Sequence, residues 1–184
     1  MYHPGKFIRL PIPVKEAYKG ERLLSELLVV SVGFRTGNNR LGYNVNKEGS
    51  DEYLVKYCIK GRGWFRVQDR EYEITPGQLL LCPSNIAHSY GAFENDPWSV
   101  YWVYLSGRSV KFYFDLIDKD ARYVINIGLD KNTESIFREI LAIMENGYAL
   151  QYAIHASDLA RCLLSSCILK KINPSNDRNY TLED

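Results

Sequence analysis

Apolar and polar positions divide this chain into a β-forming half and an α-forming half. Leu27-Leu28-Val29-Val30-Ser31-Val32-Gly33-Phe34 is a nearly continuous apolar run, as in a strand buried on both faces, and Gly37-Asn38-Asn39 breaks it. Tyr53 to Ile59 alternates instead, setting Tyr53, Val55, Tyr57 and Ile59 on one face. Gly61-Arg62-Gly63 turns the chain into Trp64–Val67, and Gln68-Asp69-Arg70 turns it again into Glu71–Ile74. Thr75-Pro76-Gly77-Gln78 has proline then glycine at the centre of a type II turn, ahead of Leu79–Cys82. Trp98 to Leu105 is apolar on both faces again. Short strands at this spacing predict a closed barrel or sandwich.

Beyond Gly107 the period becomes helical. A short helix is expected over Ser109–Lys119. A second, capped by Asp130 or Asn132, runs to Asn146-Gly147 and gathers Ile136, Phe137, Ile140, Leu141, Ile143 and Met144 on one face. A third, Leu150 to Ile172, carries a stripe through Ala153, Ala156, Leu159, Ala160, Leu163, Leu164, Cys167 and Ile168. That stripe either covers the chain's own barrel or meets a second copy. Asn173-Pro174-Ser175-Asn176-Asp177 ends it as a polar, linker-like segment.

The totals narrow the class. The 184 residues fit one domain, or one with an appended subdomain, and 46% hydrophobic with 24% charged residues suits a real core. No membrane span is expected, the N-terminus lacks the order of a secretory signal, and the four cysteines lack paired spacing, so the cytoplasm is the expected compartment. The formal charge of +1, with no basic block longer than Lys170-Lys171, argues against DNA binding by this chain alone.

The most informative stretch is Pro76-Gly77-Gln78-Leu79-Leu80-Leu81-Cys82-Pro83-Ser84-Asn85-Ile86-Ala87-His88-Ser89-Tyr90. A Pro-Gly turn, an apolar strand, a proline and a histidine resemble the second motif of the cupins, whose histidine ligates a metal together with ligands from an earlier strand. Only His3 and His155 accompany His88, and Tyr53–Phe65 holds no histidine, so no metal and no cofactor is expected. His88 is otherwise a strand-end histidine bonded to backbone.

Tyr53–Trp64, Pro76-Gly77, Pro83, His88-Ser89-Tyr90 and Asp96–Gly107, in that order and spacing, resemble the effector-binding domain of AraC-type transcription regulators. The resemblance implies a mainly β, cupin-like barrel (a double-stranded β-helix, or jelly roll) followed by dimerisation helices. It implies an arm over residues 1–22, a barrel over 23–107 with a last strand reaching to 127, dimerisation helices over 108–173, and a linker-like tail over 174–184. In such regulators a small molecule, often a sugar, sits in the barrel under the N-terminal arm. A helix-turn-helix domain follows, which lies outside this chain, so DNA is expected as a partner only through it. A homodimer through Ala156, Leu159, Leu163 and Cys167 is likewise implied.

By the family pattern Tyr90 and Trp102 match positions lining the pocket, with His88 beside them, and Tyr57 joins this set. Fourteen tyrosines and three tryptophans suit a carbohydrate, whose C–H faces stack on rings while its hydroxyls pair with polar tips. Trp98 and Trp102, four apart on a strand, share one face, either as pocket or as plain packing. His3, Pro4, Phe7 and Ile8 are candidates for capping the pocket. Where relatives commonly place an arginine, this chain has Asn46; losing that fork predicts a neutral ligand, unless Arg35 or Arg40 supplies the charge. Two other classes compete: a metal-free cupin enzyme of epimerase or isomerase type using His88 and Tyr90, and a carbohydrate-binding module, which would ordinarily be secreted.

Overall fold

The computed structural model describes residues 5–37 and 44–171. Its strands are β1 (Lys6–Arg9), β2 (Leu28–Arg35), β3 (Asn44–Asn46), β4 (Tyr53–Lys60), β5 (Gly63–Val67), β6 (Arg70–Ile74), β7 (Gln78–Cys82), β8 (His88–Ala92), β9 (Ser99–Ser106) and β10 (Val124–Asn126). Its helices are α1 (Ile12–Tyr18), α2 (Val110–Ile117), α3 (Lys131–Glu145) and α4 (Leu150–Lys170).

Two antiparallel sheets hold the strands, in the orders β1-β2-β9-β4-β7-β10 and β3-β8-β5-β6. The eight strands from β2 to β9 therefore pair as 2-9-4-7 and 3-8-5-6, the double Greek key of a jelly roll and the arrangement of cupin barrels. The fold is a cupin-like barrel followed by helices. The type II turn forms where proline and glycine stand: Gly77 has φ +86°, and the Gln78 amide donates to the Thr75 carbonyl at 3.1 Å.

The larger sheet is buried twice. One face carries Val55, Tyr57, Leu79, Leu81, Tyr101, Val103 and Leu105 against Phe137, Ile140, Leu141, Leu163 and Leu164 of α3 and α4. The other carries Leu54, Cys58, Leu80, Cys82 and Val100 toward Phe65, Val67 and Ile74, which come from the smaller sheet. Double coverage explains why β2 and β9 read as apolar on both faces.

This arrangement corrects two sequence expectations. Tyr57 faces the helices: its ring stacks on Phe137, its hydroxyl donates to the Gly128 carbonyl at 2.8 Å, and it accepts from the Asp130 amide at 2.9 Å. The odd-numbered face of β4 is the helix side, so Tyr57 does not line the barrel. Ala156 and Leu163 are each 0% exposed and Cys167 is 1% exposed, all within this chain's own core. They are filled by α3 and the sheet and have no surface to offer a second copy; Leu159 is half-buried. The segment before the barrel also has structure that the sequence pattern missed. There β1 pairs with β2 through Lys6↔Phe34 to Arg9↔Ser31, and α1 begins behind Pro11 with Pro13 in its first turn.

Asp130 joins the barrel to the helices. Its carboxylate accepts from the Thr133 amide and hydroxyl, each at 2.7 Å, capping α3, and it pairs with Lys170 near the end of α4. The Lys170 ammonium, then Thr133, holds its pKa down at about 2 against an ordinary 3.8. A depressed carboxylate stabilises above its unfolded value and loses that contribution as pH falls toward the folded value. We expect Asp130→Ala to lower stability by about 1–2 kcal/mol, seen as a drop in Tm of about 2–6 °C. The difference from wild type should close as pH falls from 3.8 toward about 2. An unchanged Tm at pH 7 would show that the cap contributes nothing.

Candidate functional site

Cross-strand registers set the inward rows of the large sheet. Phe7 pairs with Gly33, Gly33 with Trp102, and Trp102 with Lys56, one row running from β1 across β2 and β9 to β4. Flanking rows align Arg9 with Ser31 and Tyr104, and Arg35 with Val100. With Tyr90 from β8 opposite and Trp98 at the entry to β9, these residues wall a cavity of about 380 Å³. That volume lies within the range of small-molecule sites.

Glycines seat both tryptophans. A Cβ at Gly33 would come within 2.3 Å of Trp102 Cζ2, and one at Gly63 within 2.0 Å of Trp98 Cε3. Each indole lies directly on bare backbone, which fixes its plane as a cavity wall. Trp98 and Trp102 therefore share one face, and both line the site.

Sequence reasoning missed the wall residues Arg9, Ser31, Tyr104 and, above all, Lys56. It is 5% exposed, and its ammonium lies 4.1 Å from the Tyr90 ring centroid, 5.0 Å from Trp102 and 5.6 Å from Trp98. Such ring faces attract a cation. Burial nevertheless pushes its pKa below the ordinary 10.5; a hydrogen bond with Tyr90 opposes the shift, and the Arg35 charge adds to it. The Tyr90 and Tyr104 hydroxyls lie 3.3 Å apart, and burial pushes Tyr104 well above the usual tyrosine range.

Arg9 joins the cavity to the N-terminal segment. Its guanidinium lies 5.8 Å from the Tyr104 ring and donates to Glu52 Oε1 at 2.7 Å. Lys15 of α1 donates to the same oxygen at 2.7 Å, and the Glu52 side chain is 2% exposed. One buried carboxylate thus ties β1, α1 and β4 together beside the cavity. Phe7 lines the rim and is 64% exposed, whereas Ile8 packs toward the helices. His3 and Pro4 lie outside the described residues.

The other expected site residues divide. Tyr90, Trp102 and Arg35 wall the cavity. His88 does not: its Nδ1 donates to the Ile86 carbonyl at 2.7 Å, and its ring stacks on Tyr90 at 6.0 Å. Burial lowers its pKa, leaving a strand-end histidine that supports Tyr90 from behind. The backbone of Asn46 pairs with His88 in β3–β8, while its side chain and the whole of Arg40 lie outside the described residues. Of the two readings left open, a pocket without a fixed cation and one in which Arg35 supplies the charge, the wall matches the second. Arg9, Arg35 and Lys56 all line the cavity, the charge coming from other strands than the one the family pattern pointed to.

The AraC-like ligand binding domain family matches residues 31–164, from β2 into α4. The chain belongs to that family. The match takes in every cavity residue except Phe7 and Arg9, which precede it. The AraC-like chain is 29% identical to the MmsAB operon regulatory protein of Pseudomonas aeruginosa over 98% of its own length and 59% of that protein. It is 22% identical to the lactose operon transcription activator of Staphylococcus xylosus over 74% of its length and 53% of that one. It is 36% identical to the arabinose operon regulatory protein of Escherichia coli over 33% of its length and 21% of that one. The chain therefore spans little more than half of the first two relatives. Among solved structures it is similar to YhaK from Escherichia coli, with TM-score 0.47 and 9% identity over 68% of this chain and 51% of that one. Among the described residues no group of three His, Cys, Asp or Glu side chains converges, and no helix is long and apolar enough to cross a membrane.

A cation buried without a carboxylate weakens the fold that holds it. We expect Lys56→Met to raise Tm at pH 7 by about 2 °C or more. The sign follows from linkage. Because the folded-state pKa is lowered, wild-type stability increases as pH rises from that value toward 10.5, so the advantage of the variant should shrink there. A variant less stable than wild type would mean that the ring contacts outweigh desolvation.

Proposed function

We propose that this chain is the effector-sensing region of an AraC-type transcription regulator, binding a small organic molecule in the barrel cavity. The observation that carries the reading is that cavity, walled by both sheets and lined with four aromatic side chains besides Phe7 of β1. Relatives named for lactose and arabinose operons favour a carbohydrate or similarly hydroxylated effector, and the flat indoles suit its C–H faces. DNA is contacted through a domain beyond these residues, in the cytoplasm, and the chain itself performs no chemistry. An epimerase-type enzyme needs an acid–base pair facing its substrate, whereas His88 is turned to Ile86 and is not part of the wall.

The test is a thermal-shift panel of neutral sugars, sugar acids and small carboxylic acids, with indole fluorescence as a second readout. A ligand at a hundred times its Kd should add about 2.7 kcal/mol, and Trp102→Ala should abolish the shift. A panel without a hit at millimolar concentration, or hits indifferent to Trp102→Ala, would count against the cavity as the sensing site.

We further propose a homodimer through the outer face of α4. His155, Asp158, Cys162 and Leu169 are exposed there with Leu159 half-buried, and Leu169 is 87% exposed. Family membership supports the reading. In sedimentation velocity at about 10⁻⁵ M, wild type should run as a dimer and Leu169→Glu as a folded monomer, whereas Leu163→Glu should unfold the chain. A monomeric wild type would refute the contact.

A further inference from the structure

We propose that the barrel cavity is built for a small organic carboxylate, whose carboxylate is taken between Lys56 and Arg35 and whose remainder lies against Trp98 and Trp102. The inference rests on the reading of this cavity as the effector site and names the class of effector.

Charge in the wall is one-sided. Arg9, Arg35 and Lys56 line the cavity, and among the described residues no aspartate or glutamate does. The three cations are not equivalent. Arg9 is neutralised from outside by Glu52, whose carboxylate also receives Lys15, itself within 3.3 Å of Asp51. Lys56 and Arg35 have no carboxylate partner among the described residues. Lys56 instead has the Tyr90 hydroxyl and three ring faces, and Arg35 is close enough to disfavour its charge.

A buried ammonium facing a second cation is ordinarily paired or replaced by an apolar side chain. Here it projects from the middle of a strand whose inward neighbours Leu54 and Cys58 are apolar, so solvent exposure does not explain it. An anion entering between the two cations relieves their repulsion and supplies the missing partner. A guanidinium fork matches a planar carboxylate, and the ammonium adds a point charge from another side.

Tryptophan and valine walls distinguish an organic acid from a bare inorganic anion. Trp98, Val100 and Trp102 cover much of the remaining surface, and Phe7 closes the rim. Those groups stabilise C–H and ring surface, which phosphate or sulfate does not offer. A hydroxy acid or sugar acid would also meet the Ser31, Tyr90 and Tyr104 hydroxyls.

The experiment compares matched pairs on the whole chain by calorimetry at fixed salt: galacturonate against galactose, benzoate against benzamide, and 3-hydroxybutyrate against its amide, with inorganic phosphate as a further arm. We expect the acid of at least one pair to bind about tenfold to a hundredfold tighter than its neutral partner. Lys56→Met and Arg35→Gln should each bring the ratio of acid to neutral affinity down to about one. Trp102→Ala should weaken both members of the pair. Lys56→Met replaces a desolvated charge by an apolar chain of similar length, so loss of folding is not expected to confuse the result, and Arg35→Gln tests the second cation separately. Neutral members binding as tightly as acids, or an acid preference that survives both variants, would overturn the carboxylate assignment while leaving the sensing site standing. Phosphate binding as tightly as the best acid would replace it by an inorganic-anion site. If no member of any pair binds, or binding ignores Trp102→Ala, the sensing reading itself fails.

Discussion

The larger sheet has to satisfy two neighbours at once, and most of the molecule follows from that. Its outer face is closed by α3 and α4, which lie far along the chain, so every second residue of β2, β4, β7 and β9 is committed to a helix–sheet core. The alternate residues are left to the barrel interior. Part of that interior is packed solid around Phe65, Leu80 and Cys82. In the remainder, glycines at 33 and 63 give up side-chain volume so that two indoles can lie flat, and a cavity remains. A cavity lowers stability relative to a filled core, because its lining atoms lose packing partners. Here it is combined with a buried lysine, a second departure from an optimally stable interior, at the same place. Two such features converging on one row of one sheet fit a binding site better than they fit a scaffold.

The N-terminal segment is part of that arrangement. Arg9 reaches the cavity on one side and Glu52 on the other, and Lys15 of α1 shares the same carboxylate. A ligand touching Arg9 therefore touches a network that fastens β1 and α1 to the start of β4. Arg9 and Lys15 both precede residue 31, where the AraC-like match begins.

Much of the fold was legible in the pattern of the chain. The runs at Leu27–Phe34 and Trp98–Leu105, the Pro-Gly turn, and the change to helical period after Gly107 each correspond to an element. What the sequence hid was which face of each strand meets which neighbour. On β4 the odd residues Tyr53, Val55, Tyr57 and Ile59 share one face by alternation, and Tyr57 among them was expected in the pocket. They are core, because helices 80 to 110 residues downstream cover them, as with Phe137 behind Tyr57. Lys56, on the alternate face, is the buried cation. The stripe on α4 misled for the same reason: a helix that packs on its own sheet and a helix that packs on a partner present the same apolar spacing. Of the cations in the wall, Arg35 was a sequence candidate; Arg9 and Lys56 stand on β1 and β4, and only three-dimensional register brings the three together.

Between the sensor and the enzyme that this barrel can support, the decisive features are the position of His88 and the sign of the wall. A histidine committed to a backbone carbonyl and stacked on Tyr90 is placed to hold a wall residue, and a wall whose described charged residues are all cations favours the proposed anion. The most direct measurement is a crystal structure of this chain with the tightest-binding member of the acid panel. Ligand density between Lys56 and Arg35, with the organic portion against Trp102, is the result predicted. Density at any other place on the molecule, with the cavity unchanged from the free chain, would contradict it.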